Sequence, residues 1–565
     1  MALTDPARPT DVSMLTDLYE LTMAQGLWES GKLEEEGCFT AFFRDAPFGG
    51  AFAVMCGTAE LPELVENMRF TEEDVSYLAG LTAPAGGRLF KPAFLDYLRG
   101  FSMHVDIDAV PEGELVFGRE PMVRVTGPAL ECQLLETALL NTIGFQTLVA
   151  TKTARVVQAA KGRPVAEFGL RRAQGPDGGM AVARASYVAG VSSTSNVLAG
   201  RKYGIPVFGT HAHSWVMSFP SELEAFRAFA QSSPNNCTLL IDTYDVREGV
   251  ENAIIVAHEM EARGERLAAV RIDSGDLAKL SSYVRGRFDA EGLEYVKISV
   301  SNDLDEYTIQ SLLDQGAPLD SFGVGTKLAT CYDQPALGCV YKLTARREAG
   351  DAGWTPVVKL SEQPYKRTIP GIQGVRRYSD EHGSPVCDMI YDEAYLAGDG
   401  CTLVAVNDAA LVTDVSGFTC RELLEPCVRA AGPACRVSRL PPPVRATVRR
   451  SMRSMPPISV FCILRPTWWV WKAACPSCAT SSCASAWWMR PACCRGAPRG
   501  ARGHRLSCRR THIDACAVFV RLRLRSRGPL LSCRADAGGP VSKTSRTRRR
   551  VLPGARTVAC ALVSP

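Results

Sequence analysis

A chain of 565 residues with 46% hydrophobic and 22% charged residues can bury a large core and lies far from disordered or fibrous compositions. The N-terminus MALTDPARPTDVSML lacks a basic stretch followed by an apolar one, and no uninterrupted apolar run reaches membrane-spanning length, so a cytoplasmic protein without membrane contact is expected. The net charge of +4 hides two opposite parts: residues 426–565 hold 27 of the 64 Lys and Arg but two of the 60 acids, Asp514 and Asp536, which leaves 37 bases and 58 acids before them.

The part before residue 426 therefore carries −21 and the rest +25, and nine of the 21 cysteines precede that point while twelve follow it. Two compositions meet there.

In chain order, LTDLYELTMAQGLWESG places Leu15, Leu18, Tyr19, Leu21 and Leu27 at helical spacing, with Thr16 as the expected cap and Glu20 nearby. The runs CFTAFFR, AFAVMCG, SMHVDIDAV and LVFGREPMVRVTGP read as strands, so residues 1–130 predict an α/β region. A long helix, ECQLLETALLNTIGFQTLVATKTARVVQAAKG, follows.

Seven short apolar runs then alternate with amphipathic segments: PVAEF, ASYVAG, IPVFG, TLLIDT, AAVRID, VKISVS and DSFGVG. That alternation is the pattern of parallel strands with crossover helices, and over residues 131–342 it predicts an irregular TIM-like α/β barrel. After Lys342 the pieces VVKLSEQ, KRTIPGIQGVRRYS and CDMIYDEA read as strands again. Residues 343–425 are thus expected to complete a discontinuous N-terminal α/β domain.

What ends each barrel run is polar: GLRRAQG, THAHS, DTYD, DSGD, SNDLDE and VGTKL. Barrel active sites are built from the loops at the carboxyl ends of the strands, so these six clusters predict one shared mouth.

These motifs, from LTDLYELTMAQ through EFGLRRAQGPDG, GTHAHSW, DTYD, RIDSGDL, SND and GVGTKL to about Glu425, resemble the nicotinate phosphoribosyltransferase family. The resemblance implies an enzyme of NAD salvage that joins nicotinate to phosphoribosyl pyrophosphate, releasing nicotinate mononucleotide and pyrophosphate. It also implies a ligase-type coupling to ATP hydrolysis through phosphorylation of His213, with Mg²⁺ accompanying the phosphates, and a homodimer with sites near the subunit interface. Tyr19 and Arg171 match positions that serve nicotinate, and Thr210 is expected to add a hydroxyl contact. One departure stands out: Ile372 and Gln373 follow Pro370-Gly371 where the family often carries a lysine, so no phosphate contact is expected there.

The residue types suit that chemistry. Phosphoribosyl transfer leaves positive charge at the ribose C1 as an anionic group departs, so the site needs anion binders around a cation-like centre. Gly323, Gly325 and Thr326 in GVGT are expected to cradle a phosphate on backbone N–H groups, with glycine allowing close approach and positive φ. Arg271 supplies a fixed cation for phosphate oxygens, and Asp273 a carboxylate near ribose hydroxyls or Mg²⁺. An aromatic face suits the nicotinate ring and a planar cation its carboxylate. A neutral imidazole is nucleophilic and can carry a phosphoryl group transiently, which is the role expected of His213.

Each feature has a plainer reading. His211 either orients the carrier or touches phosphate, or it is a loop histidine packed beside Trp215. Arg171 and Arg172 read as a pair of which one is solvated, and Asp242 and Asp245 as catalytic acids or as a cap and a surface acid. His258 is expected to be structural. A nicotinamide-using relative of the same fold is the nearest alternative activity.

Beyond about Cys427 the resemblance stops, leaving an Arg- and Cys-rich tail over 426–565. Cys475, Cys478 and Cys483 have some metal-ligand spacing, and TSRTRRR could hold nucleic acid, which would make the chain an inactive nucleic-acid-associated protein. Neither segment comes with helical or strand period, and no resident metal site and no nucleic-acid partner is expected. Translation out of frame, or disorder, accounts for the composition better. Read one base earlier, the codons of Trp468-Trp469-Val470-Trp471-Lys472 lose every tryptophan and gain a glutamate.

Overall fold

The computed structural model describes residues 12–363, 366–395, 402–406, 411–430 and 459–462. Apart from Ser459–Cys462, a strand pairing parallel to Cys387–Ile390, the tail beyond residue 430, with its cysteine and arginine motifs, lies outside the described residues.

Six strands form an antiparallel sheet in the order Thr355–Pro356, Cys339–Arg347, Glu36–Phe43, Val123–Pro128, Asp106–Ala109 and Glu425–Val428. Pieces far apart in the sequence thus share one sheet. Its centre, Glu36–Phe43, is buried along almost its whole length, and Phe39 stacks on Tyr341 at 4.9 Å between centroids. A further antiparallel ladder joins Gln373–Ser379 to Pro385–Asp392 and Thr419–Glu422.

The first helix spans Leu18–Glu29, and its cap is Asp17, not the expected Thr16. The Asp17 carboxylate makes no cap bond because it accepts from Thr137 Oγ1 at 3.0 Å.

The parallel sheet runs Ser193–Thr194, Val165–Glu167, Ser321–Val324, Lys297–Val300, Ala269–Ile272 and Thr238–Leu240, and a parallel bridge from Thr194 to Val207 adds a seventh segment. Two expected strands differ. ASYVAG is not one: Ala185–Val188 end the helix Gly175–Val188, and Gly190, at φ +110°, turns the chain into the real strand at Ser193. That helix buries Met180, Val182, Ala183, Ala185 and Val188, and so short an apolar run cannot be told from a buried strand by period. VVKLSEQ likewise fails, since pairing stops at Pro356 and leaves Leu360 exposed.

No backbone ladder closes the ring between Thr238–Leu240 and the 207–211 segment among the described residues. His211 spans the gap instead, its Nε2 accepting from the Leu240 N–H at 3.1 Å while its carbonyl accepts from Arg271 Nη2 at 3.1 Å. This side-chain closure makes the barrel irregular.

The long helix breaks at Leu135 into Ala129–Leu134 and Glu136–Ala159. Leu139 and Ile143 on its first half pack in the core under the antiparallel sheet, while Leu148, Val149, Ala154 and Val156 on the second pack in the barrel core. No helix among the described residues is long and apolar enough to cross a membrane.

Candidate active site

Every parallel strand ends in a polar turn leading into a helix, and three turns close with an aspartate cap. Asp245 accepts from the Arg247 and Glu248 N–H groups at 2.8 and 3.2 Å, Asp276 from Lys279 at 3.2 Å, and Asp305 from Thr308 at 2.7 Å. These caps stabilise the turns and leave the other polar side chains free to face the mouth. For Asp245 the plain reading as a cap is the one that holds.

At the mouth, His213 opens the helix His213–Met217 with its ring partly exposed. Its Nδ1 lies 3.2 Å from Thr243 Oγ1, and its Nε2 lies 3.9 Å from Asp273 Oδ2. The other Asp273 oxygen accepts from Ser301 Oγ. Asp242 holds the RIDSGD turn, accepting from the Asp273 N–H at 3.0 Å and from Ser274 Oγ at 2.6 Å. Four strand ends therefore converge on His213 and Asp273.

Two buried polar atoms here lack a protein partner: Asp242 Oδ1 and Arg271 Nε. Buried polar groups rarely stay unpaired, so both mark places for a bound group. Burial lowers the Arg271 pKa from its ordinary value, Asp273 and Asp242 oppose that shift, and Arg171 adds to it. The two arginines are thus close enough to repel, a concentration of positive charge suited to an anion.

The two histidines of GTHAHS part company. His211 is buried, its ring edge-on to Phe229 at 4.7 Å between centroids. It does not share a face with His213, because the chain turns helical at His213.

The turn after Val165–Glu167 carries exposed Arg171 and Arg172 and, before them, Phe168, which stacks on Phe208 at 6.3 Å and 11°. Phe168 escaped the sequence reading, as did Thr243, Ser301 and Glu167. Glu167 was legible as an acid inside an apolar strand. Its buried carboxyl accepts from Thr194 Oγ1 at 2.6 Å and from the Gly169 N–H, and burial raises its pKa.

The glycines of GVGT work differently from expectation. Neither Gly323 nor Gly325 has positive φ; Gly325 sits at −120°. A Cβ at Gly323 would lie 2.6 Å from the Phe168 ring, so the missing side chain makes room for that aromatic. Gly325 precedes the short helix Thr326–Ala329 and lies beside Phe168 and Gly169.

Thr210 is at the mouth, its hydroxyl donating to the His211 carbonyl at 3.1 Å. Tyr19 stands apart: it is 47% exposed on the helix Leu18–Glu29, under the influence of Glu20, Glu136 and Asp17, and no bond or ring contact joins it to the mouth among the described residues. His258 makes a surface pair with Glu261 at 3.1 Å. Ile372 and Gln373 are engaged locally, the Ile372 N–H donating to Asp392 and the Gln373 amide to the Ile369 carbonyl.

Comparison with known proteins matches residues 14–144 to the nicotinate phosphoribosyltransferase (NAPRTase) N-terminal domain and residues 164–390 to the nicotinate phosphoribosyltransferase (NAPRTase) family. A nicotinate phosphoribosyltransferase of Bacillus subtilis is 44% identical over 388 residues, covering 68% of this chain and 77% of its own length. One from Mycobacterium tuberculosis is 46% identical over 338 residues, covering 60% of this chain and 71% of its own. The crystal structure of human nicotinic acid phosphoribosyltransferase superposes with a TM-score of 0.70 at 30% identity, over 81% of this chain and 100% of that one.

Proposed function

The chain belongs to the nicotinate phosphoribosyltransferase family, and from that premise we propose that it joins nicotinate to phosphoribosyl pyrophosphate with ATP hydrolysis coupled through a phosphorylated His213. The observation that carries the proposal is the placement of His213 at the mouth, between Thr243 and Asp273. With Nδ1 engaged by Thr243, Nε2 is free to attack the γ-phosphorus of ATP; an N–P bond forms as the bond to ADP breaks, and water later removes the phosphoryl group.

Nicotinate lies against the Phe168–Phe208 aromatic pair, with its carboxylate toward Arg171. That preference for an anion is the basis for choosing nicotinate over nicotinamide. Arg271, with the Gly325 and Thr326 backbone, takes the phosphates, and Asp273 faces the ribose. As charge develops at C1, the two carboxylates Asp242 and Asp273 stabilise the cation-like centre while the arginines hold the departing pyrophosphate.

Mg²⁺ fits this donor set. No group of three or more His, Cys, Asp and Glu side chains among the described residues is arranged as a resident metal site, but the free Oδ1 of Asp242 beside Asp273 supplies the one or two carboxylates on which a phosphate-borne Mg²⁺ relies. When bound it neutralises charge on the phosphate oxygens.

The test is the rate of nicotinate mononucleotide formation with and without ATP, in the native chain and in His213→Ala. ATP should raise the native rate and leave the variant unmoved; an equal ATP response in both would refute the carrier role.

A further inference from the structure

A second set of charged residues lies among the segments that follow the strand ends, where the mechanism does not use it. Lys152, on the helix Glu136–Ala159, has a side chain that is 0% exposed, yet it is cationic among acids. Its Nζ lies 2.6 Å from Glu306 Oε2 and also pairs with Asp333. Glu306 follows SNDLD and Asp333 follows GVGTKLATCY, so carboxylates from two neighbouring strand-end segments meet on one ammonium.

A third pair joins the same segments directly, Lys327 Nζ to Asp305 Oδ2 at 2.6 Å. The ring of Phe48 covers the ammonium at 5.2 Å and the neighbouring Arg155 at 5.9 Å, shutting out water. Each clamped segment carries a strained residue, Asn302 at φ +112° and Cys331 at φ +47°, and such strain persists only where the surroundings over-determine it.

From this juxtaposition we propose that Lys152 is a positioning residue for the phosphoribosyl site: it fixes the SND turn, whose Ser301 holds Asp273, against the GVGT segment that takes the phosphates. The inference rests on the reading of those two segments given above. Burial alone would lower the Lys152 pKa, but its two carboxylate partners hold it above the ordinary value. Without the ammonium, Glu306 and Asp333 lose the cation they share, and Arg155 and Lys327 at the margins hold the two segments less firmly.

Steady-state kinetics on the full chain test this. Lys152→Met should raise the KM for phosphoribosyl pyrophosphate by roughly tenfold or more while the KM for nicotinate stays within about twofold, and Asp333→Asn added to it should recover part of the loss. Unchanged KM values, or equal changes for both substrates, would overturn the clamp. If Lys152→Met does not fold, Asp333→Asn alone decides, because Asp333 is 39% exposed: a rise confined to phosphoribosyl pyrophosphate supports the clamp and no rise overturns it. Arg271→Ala serves as the reference. A flat response there faults the site reading itself, and a flat Lys152→Met beside a responsive Arg271→Ala faults only the clamp.

Discussion

His211 and His213 are two positions apart and do different work, because one side chain closes the barrel and the other faces the mouth. Burial pulls the His211 pKa from 6.5 down to about 4. The unfolded chain therefore takes up a proton between those values while the folded chain does not, so the His211 contribution to stability is complete above about 6.5 and is lost as pH falls toward 4. Urea unfolding between about pH 7 and 5 should show stability falling with acidity in the native chain and a shallower fall in His211→Phe; parallel slopes would contradict this. Gly323→Ala drives a methyl group into the Phe168 ring and should raise the KM for nicotinate several-fold, leaving phosphoribosyl pyrophosphate unaffected. The reverse pattern would return Gly323 to a phosphate role. GTHAHS was legible as a motif, but which histidine turns inward was not, because that depends on a hydrogen bond to Leu240, 29 residues away. Lys152 was invisible for a similar reason: a lysine inside TLVATKTARVV looks like a solvated residue until its two acids arrive from other elements.

Between elements, the strand-to-helix turns are set by how closely each helix rides on its strand. Gly249 lies in the helix Val246–Ala262, and a Cβ there would come within 2.1 Å of the Ile241 carbonyl oxygen, just before DTYD. Alanine in place of glycine favours a helix by up to about 1 kcal/mol, whereas a backbone clash in a packed core costs about 1–3 kcal/mol. The clash should win. Gly249→Ala is thus expected to lower the urea midpoint and to slow catalysis through displaced Asp242 and Thr243, and a raised midpoint would show that the helix shifts at no cost. The polar ends of the strands were readable because the turns repeat one plan, with an aspartate capping three of the helices. ASYVAG and VVKLSEQ were not, since a helix buried on several sides and an exposed apolar edge both imitate a strand in sequence.

Across the whole molecule, strands on either side of the barrel segment share one antiparallel sheet, and the helix Glu136–Ala159 contributes to both large cores. Short-range patterns indicated strands before and after the barrel segment, but their mutual register is a matter of pairing across about 300 residues. The exposed residues Leu15, Leu18, Tyr19 and Met23 form an apolar stripe on the first helix and the segment before it. With no bond or ring contact joining Tyr19 to the mouth of its own chain among the described residues, we propose that the stripe is the face of the homodimer that the family resemblance implies. Sedimentation equilibrium should give twice the chain mass in the native protein and a lower mass in Leu18→Glu, and a single-chain mass in both would remove the proposal.

The most direct measurement is transfer of label from ATP carrying radioactive γ-phosphate. The purified chain should acquire acid-labile, alkali-stable label on the peptide that contains GTHAHSW, and His213→Asn should acquire none. Absence of label from the native chain, or equal labelling of the variant, would contradict His213 as the phosphoryl carrier.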